Sequence, residues 1–303
     1  MQCFYSDTFV LPLPEGHRFP MAKYSRLREK VLADGVVSAD EVREAPQASW
    51  DDLRLVHTLE YTTAVADGRL SREAQRRIGF PWSLQMVERS RRSVGATIAA
   101  ASVAIEEGCA ANLAGGTHHA FADRGEGYCV FNDVAVGARV LQRDHRIGRV
   151  AVIDCDVHQG NGTAAIFAGD ASVFTLSLHG ARNYPFKKEK SDLDVEFDDG
   201  TGDEPYLTHL AHSVDEVLAR QDPEVVFYLA GADPYEGDRL GRLKLTIAGL
   251  QQRDQIVLAR CRAAGVPVVV TMSGGYAHDV NAIVAIHVNT IRAAAALQTP
   301  QTR

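Results

Sequence analysis

The sequence predicts an α/β fold: a single three-layer domain with a mainly parallel central sheet flanked by helices. Three observations point there. Short β-branched runs alternate with longer stretches of helical periodicity along the 303 residues. Four of those runs are nearly continuously apolar, as strands are when helices cover both faces of a sheet. No internal repeat, charge block or low-complexity stretch divides the chain, so the alternation reads as one parallel sheet with right-handed crossovers.

In chain order, the first strand is predicted at Gln2–Tyr5, and a long helical pattern covers Trp82–Glu107. A short strand at Ala111–Leu113 precedes a helix over Asn132–Arg146. Then come the four apolar runs, Arg149–Asp154, Ser172–Leu178, Glu224–Ala230 and Val266–Met272. Helical patterns at Pro205–Arg220 and Thr246–Ala264 separate the later ones, and Asp279–Leu297 closes the fold. The expected domain is 1–297, with 298–303 (Gln-Thr-Pro-Gln-Thr-Arg) a flexible tail.

Composition narrows the function classes. Hydrophobic residues make up 46% and charged residues 23%, an ordinary globular balance. The formal charge of −7 disfavours direct contact with nucleic-acid backbone. The longest stretch without Asp, Glu, Lys or Arg, Ala263–His278, is broken by Gly265, Pro267 and a Gly-Gly pair and is too short for a membrane span. The opening Met-Gln-Cys-Phe-Tyr-Ser-Asp lacks a signal-peptide pattern. The five cysteines lack CxxC spacing, which fits reduced thiols and a cytoplasmic location.

The unusual residues fall at the carboxyl ends of the predicted strands, where open α/β sheets bind ligands. They are Ala-Gly-Gly-Thr-His118-His119, Asp154-Cys-Asp156-Val-His158-Gln-Gly-Asn161-Gly, Ser177-Leu178-His179, Gly231-Ala-Asp233-Pro and Ser-Gly-Gly275-Tyr276. On an extended segment Asp154, Asp156 and His158 leave one face, while Cys155 and Val157 leave the other. Such a set repels or desolvates badly without a cation, and Asp233 completes an Asp/His/Asp group. The plainer alternative is a hydrogen-bonded loop pair of Asp156 and His158. His209 and His212 lack a third ligand and read as surface residues. His57, His145 and His287 read as packing or surface histidines.

Three protein ligands leave an open position on a divalent ion, the arrangement of a catalytic site. Two carboxylates neutralise the ion, so water held there acidifies less than at a tris-histidine site and a separate base is needed. His118 and His119 are the candidates. A bond to Asp154 favours the charged form of His118, whereas neutral Asn161 leaves His119 free to act as base and then acid. Tyr276 is placed to donate its hydroxyl to the developing oxyanion.

This constellation resembles the zinc-dependent histone deacetylase family on the arginase–deacetylase fold. The matching segments are GGTHHAF (115–121), GYCVFND (127–133), DCDVHQGNG (154–162), TLSLH (175–179), GADPYEGDRLG (231–241) and SGGY (273–276). His57 and Tyr61 in VHTLEY match the family's N-terminal element. The compact length and the HQGNG, EGDRLG and SGGY segments are most similar to the class IV branch and its bacterial relatives. The resemblance implies Zn²⁺ on Asp156, His158 and Asp233 (Fe²⁺ is the alternative such a ligand set accepts) and carbonyl polarisation by Tyr276. It sets Asp154 behind His118 and Asn161 behind His119. It also implies a structural K⁺ or Na⁺ near Asp154, Asp156, His158, Ser177 and Leu178, and an acyl-lysine tunnel walled by Gly127, Tyr128 and Tyr184.

Two departures bear on the substrate. Thr117 stands where many relatives carry a large aromatic, which suggests room for an acyl group longer than acetyl. The rim stretch Ile78-Gly-Phe80-Pro81-Trp82, with Arg72, Arg76 and Arg77 upstream, lacks the carboxylate that many relatives use to hold a peptide backbone. The expected activity is therefore removal of an acyl group from the ε-amine of acyl-lysine in a peptide or protein. Acetylpolyamines or other small acylated amines are the alternative. A non-catalytic acyl-lysine-binding module would lack ligand, base or oxyanion donor, and all three are present. A binuclear manganese enzyme would need further aspartates around DCDVHQGNG. The oligomeric state is not legible.

Overall fold

Successive side chains along the central strands of the computed structural model, which describes residues 1–297, are all buried and enter two cores in alternation. The strands are β1 (Cys3–Tyr5), β2 (Val42–Glu44), β3 (Cys109–Asn112), β4 (Val150–Asp154), β5 (Val173–Gly180), β6 (Leu193–Phe197), β7 (Val225–Leu229) and β8 (Val268–Thr271). They form one eight-stranded sheet in the order β2-β1-β3-β8-β7-β4-β5-β6, with every adjacent pair parallel.

The helices are α1 (Ala22–Ala33), α2 (Trp50–Leu53), α3 (Leu59–Ala66), α4 (Arg72–Ile78), α5 (Leu84–Glu107), α6 (Asp133–Asp144), α7 (Asn161–Ile166), α8 (Asp203–Gln221), α9 (Ile247–Ala263) and α10 (Val280–Ala295). Ala151, Ile153, Val226, Tyr228, Val268 and Val270 share a core with α1, α8, α9 and α10. Their neighbours Val150, Val152, Val225, Phe227 and Val269 share the opposite core with α5 and α6. Four alanines of α5 (Ala96, Ala100, Ala101, Ala104) let that long helix lie close on the sheet. Each buried Val, Leu or Phe contributes about 1.5–3 kcal/mol relative to exposure. A third cluster packs α2, α3 and α4 against the outer faces of α5 and α6.

The structure adds two strands to the six expected. Both are sheet edges: β2 has three residues, and β6 reads Leu-Asp-Val-Glu-Phe, a half-exposed alternation rather than an apolar run. It also adds the short helices α2, α3, α4 and α7 and the amphipathic α1. Asn132, Thr246 and Asp279, expected as first helical residues, instead cap α6, α9 and α10 with side-chain oxygens. The expected tail, 298–303, lies outside the described residues.

Register aligns the strand ends. Asn112 pairs with Thr271, Thr271 with Leu229, Leu229 with Asp154, and Asp154 with Ser177. The segments that follow β3, β4, β5, β7 and β8 therefore emerge side by side at one edge. Among the described residues, no helix is long and apolar enough to cross a membrane.

Candidate active site

Beyond Asp154 the alternation of β4 continues: Cys155 and Val157 enter the core under α8–α10, and Asp156 and His158 turn to the other side. Two short side-chain turns hold this segment. The Asp156 N–H donates to Asp154 Oδ1 at 3.0 Å, and the His158 N–H donates to Asp156 Oδ1 at 2.9 Å. Asp233, after β7, accepts from the Val157 N–H through Oδ1 at 2.9 Å. Asp156 Oδ2 accepts from the Ser273 hydroxyl and the Gly274 N–H, each at 2.7 Å.

One ligand atom from each of Asp156, His158 and Asp233 lies within 4.8 Å of the other two, and all three residues are buried. Whether these residues suit a divalent ion can be tested on the polar atoms themselves. Asp233 Oδ2 is buried with no aligned hydrogen-bond partner, although His158 Nδ1 stands 3.2 Å away. Burial, and then the charge of Asp156, push the Asp233 carboxyl above the ordinary carboxylate range. Two converging carboxylates and an orphaned oxygen are what a cation would neutralise. Position 274 clears the space: a Cβ there would stand 1.9 Å from Asp233 Oδ2 and 2.6 Å from Asp156 Oδ2, so only glycine fits. The Asp/His/Asp set fits the ion.

The two histidines follow β3. His118 Nδ1 lies 2.6 Å from Asp154 Oδ2, and His119 Nδ1 lies 2.7 Å from Asn161 Oδ1. Burial opposes a charge on His118, but Asp154 and then Asp156 outweigh it and lift the imidazole to about 9. Burial and then the charges of His118 and His158 hold His119 well below its ordinary value. Its tautomer follows from a neighbour. The Asn161 amide NH₂ donates to Glu126 Oε1 at 2.8 Å, which turns the amide oxygen toward His119. That oxygen only accepts, so His119 carries its proton on Nδ1 and keeps Nε2 as a free base.

Tyr276 is fixed by its backbone. Its N–H donates to Asp238 Oδ2 at 2.6 Å, and its carbonyl accepts from Arg239 Nε at 2.6 Å. The buried Lys23 ammonium donates to the carbonyls of Ser273 (3.2 Å) and Gly275 (3.4 Å) and sits 5.4 Å from the Tyr276 ring. Burial, then the charges of Asp156 and Asp233, raise the phenol well above its ordinary value, so it remains an O–H donor. Glu126, Asp238, Arg239 and Lys23 are the site residues that sequence reasoning missed. Asp238 and Arg239 stood inside the EGDRLG segment already singled out, whereas Glu126 and Lys23 had no spacing to mark them.

A cavity of about 370 Å³ opens from the surface down to His119, His158 and Tyr276, and Gly127, Tyr128 and Tyr184 line it. Gly127 has φ 57°, and a Cβ there would meet His119 Cδ2 at 2.5 Å, so glycine permits the wall to close on the imidazole. Two smaller spaces lie deeper. One, of about 40 Å³, touches Asp156, His158 and Tyr276, and the other, of about 50 Å³, lies toward Leu11, Phe80 and Arg89. Thr117 lines both, with its hydroxyl turned toward Phe131 O and Asp133 Oδ1 at 2.6 Å each.

Ser177 and Leu178 are buried on β5 beside Asp154, with the Ser177 hydroxyl 2.9 Å from His179 Nδ1. His57 is a packing residue: Nδ1 meets Phe121 O at 2.9 Å, and Nε2 accepts from the Asn132 N–H at 3.0 Å. The Tyr61 hydroxyl donates to Val130 O at 2.7 Å. His145, His209 and His212 are exposed, and His287 is buried.

Comparison with known proteins gives one consistent result. A histone deacetylase domain model matches residues 17–291. The chain is 45% identical over 292 residues to an uncharacterized protein of Picosynechococcus sp., covering 96% of this chain and 97% of that protein. It is 31% identical over 310 residues to histone deacetylase 2 of Arabidopsis thaliana, covering 97% of this chain and 78% of that one. Its fold superposes on the crystal structure of an HDAC homolog from Aquifex aeolicus with a TM-score of 0.81, at 24% identity, over 96% of this chain and 82% of the other.

Proposed function

Because this chain belongs to the histone deacetylase family, we propose that it is a metal-dependent amidohydrolase that removes an acyl group, acetyl or longer, from the ε-amine of acyl-lysine. The observation that carries this reading is the buried Asp233 Oδ2, without an aligned hydrogen-bond partner and within reach of Asp156 and of His158, which lines the tunnel. We assign residues 1–297 to one catalytic unit acting in the cytoplasm, with Zn²⁺ as the preferred ion and Fe²⁺ as the alternative. A structural K⁺ or Na⁺ is assigned to Asp154, Asp156, His158, Ser177 and Leu178.

A divalent ion on Asp156, His158 and Asp233 would supply Lewis acidity to the amide carbonyl and to water. The chain's own residues do the rest. Gly127, Tyr128 and Tyr184 enclose the apolar lysine stem and exclude bulk water. His119 Nε2, held free by the Asn161–Glu126 pair, takes a proton from the attacking water. Tyr276 donates its hydroxyl to the oxyanion as the carbonyl carbon becomes tetrahedral. As the C–N bond breaks, His119 returns the proton to the departing amine, leaving a carboxylic acid and the free ε-amine of the lysine side chain. His118, bonded to Asp154 through Nδ1, acts as an electrostatic and orienting partner beside these events. The space of about 40 Å³ that touches Asp156, His158 and Tyr276 is where the acyl group would lie.

A second reading, hydrolysis of acetylpolyamines or another small acylated amine, rests on one point: no carboxylate among the residues lining the tunnel cavity stands ready to hold a peptide backbone. A hydrolysis screen of acetyl-lysine peptides, longer acyl-lysine peptides and acetylpolyamines, with and without chelator, tests both. Chelator-sensitive release of the acyl group as a carboxylic acid is expected. No turnover on any acylated amine by the zinc-loaded protein would overturn the enzyme reading in favour of an acyl-lysine-binding module.

A further inference from the structure

The mouth of the tunnel reverses the charge of the molecule. The chain as a whole carries −7, yet the residues lining the outer cavity include Arg76, Arg77, Arg182 and Arg242 and no Asp or Glu. The arginines stand on two walls. Arg76 and Arg77 end α4, which is fixed to the tunnel by the Gly127 N–H donating to Arg77 O at 3.0 Å and the Tyr128 N–H donating to Ile78 O at 2.7 Å. Across the mouth, Asn183 links the segments of Arg182 and Arg242. Its side chain donates to Leu240 O at 2.7 Å and accepts from the Arg242 N–H at 3.2 Å. Both walls are therefore held in place before any substrate arrives.

Little of this charge is neutralised. Arg77 reaches Glu73 at 3.2 Å between exposed side chains, and Arg182 and Arg242 share Asp199 at 3.8 and 3.1 Å. Arg76 has no ion-pair partner among the described residues. Glu126, the carboxylate behind the Tyr184 wall, is engaged with Asn161. Four guanidinium groups facing two carboxylates, one of them shared, leave a cationic collar, and exposed Phe186 (87%) stands within it as an apolar contact.

We infer that this collar selects an acyl-lysine carried in an acidic peptide segment, with carboxylates on both sides of the modified residue, and turns away polycationic acylated amines. The inference rests on the deacylase reading and names its substrate class. A peptide crossing the mouth presents flanking side chains to both walls at once, matching the two-sided placement of the arginines. An acetylpolyamine brings further ammonium groups into the same field and is repelled. Charges of this kind act chiefly on encounter and are screened by salt, whose Debye length falls from about 10 Å at 0.1 M to about 3 Å at 1 M.

The test uses the full zinc-loaded chain and acetyl-lysine peptides of equal length with Asp/Glu, Ser/Gly or Lys/Arg flanks. An acetylpolyamine and a small phosphorylated acetyl-amine are run alongside. At low salt kcat/KM is expected to be at least about 10-fold higher for the acidic than for the basic peptide, narrowing to within about 3-fold near 1 M salt. Pairing Arg76→Ala with Arg182→Ala should reduce that ratio severalfold. Hydrolysis indifferent to flanking charge, or fastest on the acetylpolyamine, would overturn the collar's role and leave the deacylase reading standing. The phosphorylated amine outrunning every peptide would overturn the peptide as occupant. Absence of hydrolysis on all of them would remove the deacylase reading and this inference with it.

Discussion

Asn161→Asp probes the proposed base without touching substrate or ion. In the structure the Asn161 oxygen lies 2.7 Å from His119 Nδ1, and its nitrogen donates to Glu126 at 2.8 Å. The substitution places a carboxylate against the imidazole, and an opposite charge at such range raises a histidine by about 1–3 units. It also sets two carboxylates face to face where an N–H···O bond stood, so they share a proton and the gain falls at the low end, about 1 unit. The acid limb of kcat/KM, which reports the free enzyme's base, should move up by that amount. Activity one unit below the wild-type limb should then fall a further 10-fold or so. Adding Glu126→Gln restores a neutral donor beside the introduced carboxylate and removes the repulsion, and the limb should move about 2 units. The assay is a pH profile of kcat/KM on one acetyl-lysine peptide for the wild type, the single variant and the double variant. If both variants keep the wild-type limb while remaining folded and metal-loaded, His119 is not the base.

Tyr276→Phe removes the buried hydroxyl and should lower kcat by about 10²–10³ with metal content unchanged by elemental analysis. Near-normal turnover would end its assigned role. His57, which burial lowers to about 4, makes stability fall with acid. Above its unfolded value of 6.5 it contributes nothing. Between 6.5 and 4 the unfolded chain takes up a proton that the folded one refuses, costing about 3 kcal/mol. His57→Gln should flatten that part of a urea-denaturation series against pH. Lys23→Met leaves the Ser273 and Gly275 carbonyls short of a buried donor. It should cost about 1–3 kcal/mol in urea unfolding and lower kcat as the Tyr276 segment loosens.

Much of this architecture could be read before the structure. The four apolar runs became β4, β5, β7 and β8, because strands buried on both faces carry an unbroken signal. The edges did not show. β6 alternates polar and apolar residues because one of its sides is open, and β2 is three residues long. Asp156, His158 and Asp233 were legible as chemistry out of place, carboxylates and imidazole directly after apolar strands. Lys23 and Glu126 were not, since only folding brings Lys23 to residue 273 or Glu126 to residue 161. Nor could spacing reveal the collar, in which Arg76 and Arg77 meet residues more than a hundred positions away.

A metal titration followed by acetyl-lysine hydrolysis tests the central claim most directly. The chelated protein should be inactive and should regain full activity at one equivalent of Zn²⁺ or Fe²⁺ per chain, and Asp233→Ala should neither bind the equivalent tightly nor recover. Full activity without metal, or activity that rises only with a second equivalent, would contradict a single ion held by Asp156, His158 and Asp233.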